Sequence, residues 1–172
     1  MKKLILLLAA PSILFLASCG GKKEDTTTSI PGMMEVNLKM NGNALSIMVP
    51  DSTKGKMEMT EQSWGATEIK VGNDFQISIE EGDGDVALTK SDIAGNEVNK
   101  FKRYIKDEPT LLFWESEIAE KPECHFYTIV KPGKVSYVVK DIVGEQFAEK
   151  SVQTMVDAAK TLKAKDAEKP NS

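Results

Sequence analysis

Val36-Asn37-Leu38-Lys39-Met40-Asn41-Gly42-Asn43-Ala44-Leu45-Ser46-Ile47-Met48-Val49 is the stretch that decides the fold class. Val36, Leu38 and Met40 alternate with polar residues, and Leu45, Ile47 and Val49 repeat the alternation after Asn41-Gly42. A period of two is that of a half-buried strand, and Asn-Gly supplies the positive backbone angles of a tight hairpin turn. Pro50 has no N–H for a ladder and ends the second strand, and residues 51 to 56 form a loop. Met57 and Met59 restart the alternation, and Ile69 and Val71 lead through Gly72-Asn73-Asp74 to Phe75, Ile77 and Ile79, a further hairpin.

Helical spacing follows. Ile93, Val98, Phe101 and Ile105 predict an amphipathic helix with lysines on its wet face, starting near Leu88 and leaving at Pro109. Thr89 and Asp92 suit its cap, and Gly95 weakens its middle by about 1 kcal/mol relative to alanine. Leu111 to Trp114 reads as a strand covered on both faces. Cys124 to Val130 and Val135 to Ile142 form a hairpin across Lys131-Pro132-Gly133-Lys134, with Pro and Gly at the centre of a type II turn. From about Glu145 to Lys163, Phe147, Val152, Met155, Ala159 and Leu162 form one apolar stripe, a second helix with Lys160 and Lys163 at the negative end of its dipole. The expectation is an α+β fold: one domain over residues 35–165, an antiparallel sheet covered by an internal and a C-terminal helix, and a disordered tail over 166–172. In element order this resembles the fold of the Mog1 and PsbP proteins, a likeness that implies a fold and transfers no function.

The N-terminus carries an address. Lys2 and Lys3 precede an apolar run from Leu4 to Leu16, too short for the roughly 20 residues of a membrane span but suited to a secretory signal. Leu16-Ala17-Ser18-Cys19 resembles the lipobox of bacterial lipoproteins. That resemblance implies a signal peptide over residues 1–18, cleavage before Cys19, and covalent lipid on its sulfur and new amino group. One acyl chain holds a protein reversibly, but two or three, at about 0.8 kcal/mol per buried methylene, hold it in effect permanently. Residues 19–34 then form a polar tether. Extended at about 3.5 Å per residue, some fifteen residues reach roughly 50 Å, so the domain need not touch the bilayer. Within the tether, Lys22-Lys23-Glu24-Asp25 resembles a surface-export signal, and no aspartate follows Cys19 directly. The expected location is the outer membrane, lipid-anchored, facing either the surface or the periplasm.

Charge and cysteine content narrow the rest. The signal peptide removes two of the 22 lysines and arginines and none of the 26 acids, leaving a net charge near −6. Such an acidic chain is not expected to bind nucleic acid, which needs a concentrated positive surface. With Cys19 lipidated, Cys124 is left alone, excludes an internal disulfide and is expected in the core.

Four groups of residues invite a chemical reading. Glu80-Glu81-Gly82-Asp83-Gly84-Asp85 offers oxygen ligands to calcium, with Glu81, Asp83 and Asp85 as the first, third and fifth positions of a loop and Asp92 as the twelfth. Val86 occupies the sixth, where glycine is required, and a solvated turn is the plainer reading. Cys124 beside His125 offers a nucleophile and a base, yet neighbours in a strand point to opposite faces. Lys100, Lys102, Arg103 and Lys106 around Phe101 suggest a polyanion site or an ordinary wet face. Glu115 and Glu117, two apart on a strand, share a face and suit an acid and base pair. No other cofactor is expected. The leading expectation is a non-catalytic binding or accessory lipoprotein that engages a protein, glycan or lipid ligand, with Trp64 as a candidate contact or else a core tryptophan. An envelope hydrolase using carboxylates is the alternative.

Overall fold

The computed structural model describes residues 30–165. Residues 1–18, expected as a signal peptide, Cys19 and most of the expected tether, and residues 166–172, expected as a disordered tail, lie outside the described residues. The elements in chain order are β1 (Met33–Met40), β2 (Asn43–Pro50), β3 (Met57–Glu61), β4 (Thr67–Val71), β5 (Phe75–Glu81), α1 (Val86–Gly95), β6 (Lys100–Glu108), β7 (Leu111–Ile118), β8 (Lys121–Val130), β9 (Tyr137–Asp141), α2 (Glu149–Ala159) and β10 (Lys163–Ala164). The architecture is α+β and mostly sheet, with one internal and one C-terminal helix.

The opening hairpin forms as its sequence dictates. Met40 pairs with Asn43, and Asn41 and Gly42 take φ of 47° and 85°, a two-residue primed turn. β1, β2 and β10 make a three-stranded sheet, and the other strands form a seven-stranded sheet in the order β3-β4-β5-β9-β8-β7-β6 with every pairing antiparallel. α2 packs on β8, β5, β9 and β2. Phe147, Val152, Met155, Ala159 and Leu162 are buried as expected and join Leu45, Ile47, Phe75, Ile77, Phe113 and Phe126 in one core, but the helix is shorter than the expected 145–163: Phe147 precedes it, Leu162 follows it and Lys163 lies in β10. Each Val, Leu, Ile, Phe or Met side chain buried there stabilises the fold by about 1.5–3 kcal/mol relative to exposure.

The internal helix corrects the sequence expectation. α1 stops at Gly95, where the Asn96 N–H bonds to the Ile93 carbonyl, and residues 100–108 are the edge strand β6. Its cap is Asp85, whose carboxylate accepts from the Leu88 N–H at 2.9 Å, in place of Thr89 and Asp92. Gly95 therefore ends the helix and does not weaken its middle. Ile93 alone is buried among the helix residues, so α1 rests lightly on the sheet.

The β7–β8 hairpin has a turn that its composition hides. Ala119 and Glu120 take φ of 48° and 66° between Ile118 and Lys121. Side chains with a Cβ pay roughly 1 kcal/mol or more each in this left-handed region. Replacing the pair by Ala119→Asn with Glu120→Gly is expected to stabilise the domain by about 1–2 kcal/mol. Urea denaturation measures it, and an unchanged midpoint would show the turn to be unstrained.

Candidate functional site

Strand alternation gives the sheet two unlike faces. Cys124, Phe126 and Phe113 point into the apolar core. On the opposite face, register sets Trp114 against His125 and Ser116 against Glu123, with Tyr127 against Lys140 beside them. α1 leans over this second face. The segment entering it comes so close that a Cβ on Gly84, at φ +64°, would stand 2.6 Å from the Tyr127 hydroxyl, and the Asp85 N–H donates to that hydroxyl at 2.9 Å. Between the helix and the sheet lies a groove of about 330 Å³, lined by Asp92 of α1, Asn96 and Asn99 just beyond its end, Trp114, His125 and Lys140 among others.

The groove floor holds a buried polar cluster. His125 is 9% exposed and Glu123 2%. The imidazole Nδ1 lies 2.8 Å from Asp141 Oδ2, and Nε2 lies 2.9 Å from Glu123 Oε1. Asp141 also closes the end of the β8–β9 ladder, its Oδ1 accepting from the Phe126 N–H at 2.7 Å. Ser116 adds a hydrogen bond to Glu123 at 3.3 Å, and the Trp114 ring sits 5.4 Å from the imidazole centroid at a tilt of 34°. Burial pushes the imidazole toward neutrality, but the hydrogen bonds and charges of Asp141 and Glu123 outweigh it and raise its pKa above the ordinary 6.5. Only the imidazolium donates from both nitrogens, so only it satisfies both carboxylates.

A pH dependence follows. A folded pKa above the unfolded one contributes stability that is complete below about pH 6.5 and is lost as pH rises through the folded value. Thermal melts from about pH 5 to about pH 9 are therefore expected to show wild type losing stability on the alkaline side, and His125→Gln lacking that part of the slope. Parallel slopes in the two proteins would remove the charged histidine from the account.

Both imidazole nitrogens are engaged, and the Ser116 hydroxyl bonds to Glu123 instead of the ring, so no nucleophile and base stand paired. Cys124 lies on the other face, and burial first, then the charges of Glu115 and Glu149, push its thiol up to about 11. It is an inert core residue. Glu115 and Glu117 share a face as expected, but Arg103 holds the first at 2.7 Å and Lys102 the second at 3.0 Å, and Glu115 alternates away from the groove side occupied by Trp114.

The remaining candidates are dispersed. The carboxylate of Glu81 accepts from Asn41 Nδ2 at 2.9 Å, Asp83 is exposed and Asp85 caps α1. Among the described residues no three carboxylate, cysteine or histidine groups converge as a metal set. Trp64 stands 65% exposed between β3 and β4, with Met57 and Met59 exposed on the neighbouring edge strand. The basic run is on β6, where Lys102 and Arg103 pair with β7 carboxylates. Sequence reasoning missed Asp141 and the role of Trp114. The available signal was Glu123 two residues before His125, which places two titratable groups on one strand face. No protein-family model matches the chain, and neither a curated protein nor a solved structure matches it.

Proposed function

We propose that this chain is a lipid-anchored bacterial lipoprotein of the outer membrane whose α+β domain is a non-catalytic binding or accessory module, with the groove between α1 and the sheet as its ligand site. The anchor rests on the resemblance of Leu16-Ala17-Ser18-Cys19 to a lipobox. The observation that carries the binding reading is the floor of the groove, where a buried histidine spends both nitrogens on Asp141 and Glu123 and so gives rigidity to a recess whose rim presents the Asp92 carboxylate and the Asn96 amide nitrogen. A few well-placed polar groups around an aromatic side chain in a preformed recess are what small-ligand sites require.

Cell fractionation with a tagged full-length chain tests the anchor. The wild type is expected in the membrane fraction and Cys19→Ala in the soluble one; equal partition of both would sink the lipoprotein reading. Protease shaving of intact cells, with Lys23-Glu24-Asp25 replaced in a companion strain, separates surface display from a periplasmic position.

A further inference from the structure

From the chemistry of the groove we infer that its ligand is a neutral glycan, bound as one or two sugar rings against Trp114. The inference deepens the proposed binding role and rests on it. At about 330 Å³ the groove is at the small end of ligand sites, which run from about 300 to 1,000 Å³. Trp114 is half-buried and lines it, offering the broad apolar surface with a polar edge on which the C–H face of a sugar ring packs.

The polar groups around it are of both kinds. Asn96 Oδ1 accepts from the Val98 N–H at 3.0 Å and the Asn99 N–H at 2.8 Å, and the Asn96 amide nitrogen has no partner among the described residues. Asp92 is exposed and makes no hydrogen bond or ion pair among the described residues, so its carboxylate offers acceptors only. Adjacent donors and acceptors match vicinal hydroxyls, each of which both donates and accepts.

Charge separates this class from its rivals. On the rim the Lys140 ammonium lies 4.0 Å from Glu80 Oε2 and leaves Asp92 uncompensated, and on the floor a single imidazolium stands between the two carboxylates of Asp141 and Glu123. The groove thus carries a net negative charge that repels phosphorylated or acidic ligands. The floor carboxylates are already satisfied by His125, so among the lining residues Asp92 alone is left to pair with a cation, and the same carboxylate accepts equally from sugar hydroxyls.

The chain has two tryptophans, and Trp64→Phe leaves Trp114 as the sole tryptophan reporter. That full-length variant, held in a detergent without a sugar headgroup, is titrated with cellobiose, maltose, melibiose and N,N′-diacetylchitobiose, and with sialyllactose as an acidic comparison. A saturable change in Trp114 fluorescence is expected with at least one neutral sugar at millimolar concentration or below. Asp92→Ala, an exposed substitution that leaves the core intact, is expected to weaken it about tenfold. A response to sialyllactose alone would overturn the neutral class while keeping the groove as a binding site. No response to any of the neutral sugars, or binding indifferent to both Asp92→Ala and Asn99→Ala, overturns the inference and leaves the anchor, tested separately by fractionation, untouched.

Discussion

Replacing His125 by alanine is expected to destabilise the domain by about 3–5 kcal/mol, because it strands two buried carboxylates. Glu123 and Asp141 are both buried, and the imidazole is within 2.9 Å of each. Without it, two negative charges face one another with only Ser116 and the Phe126 N–H as remaining partners. His125→Gln retains one neutral donor and is expected to lose less, about 1–3 kcal/mol. Urea denaturation of the three proteins at neutral and mildly acidic pH measures both effects. If alanine costs under about 1 kcal/mol, the carboxylates are hydrated and the floor of the groove is not a dry cluster.

The strands and the C-terminal helix were legible because their signals are local. Alternation from Val36 to Val49 around Asn41-Gly42 specifies a hairpin without help from the rest of the chain, and Val152, Met155 and Ala159 give α2 its buried face, with Phe147 and Leu162 continuing the apolar stripe just outside its ends. The internal helix was overextended for a definable reason. β6 carries two irregularities of register, between Phe101 and Arg103 and between Tyr104 and Lys106. Each extra residue breaks the period of two, so Phe101, Tyr104 and Ile105 fall at spacings of three and four that imitate a helix. Such bulges, with Lys100, Lys102, Arg103 and Lys106 along the strand, also blunt the outer edge of the sheet against unwanted pairing.

The site was legible only in part. Cys124 and His125 were correctly separated by strand alternation, but the partner that matters for the histidine, Asp141, is sixteen residues away and reaches it from the end of β9. Sequence carries no mark for a side chain that turns sideways at a strand terminus to replace a ladder bond. Trp114 was equally hidden, since its place in an apolar run suggested cover on both faces, whereas the short α1 leaves a groove beside it. Where a helix ends decides how much of a sheet is left uncovered, and boundaries are the least certain part of any reading from pattern alone.

Gly72→Ala is expected to cost about 2–4 kcal/mol, well beyond the roughly 1 kcal/mol of its backbone conformation alone. Gly72 turns β4 into β5 at φ +60°, and an added Cβ would stand 2.6 Å from the carbonyl oxygen of Lys54. The approach is reciprocal, since a Cβ on Gly55 would lie 2.6 Å from the Cα of Gly72. The loop between β2 and β3 therefore packs backbone to backbone against the β4–β5 turn, and the Gly72 N–H donates to the Lys56 carbonyl at 3.2 Å. No rotamer change relieves a clash with main chain, so the loop must move and loosen the start of β3. Gly42 provides the control. It has φ +85° with nothing within 4 Å of an added Cβ, so Gly42→Ala carries the conformational term without the collision. Measured side by side in urea, the two variants are expected to differ by about 1–3 kcal/mol. Equal losses would mean that the loop yields freely, and that the contact between Gly55 and Gly72 contributes nothing to holding β3 on the sheet.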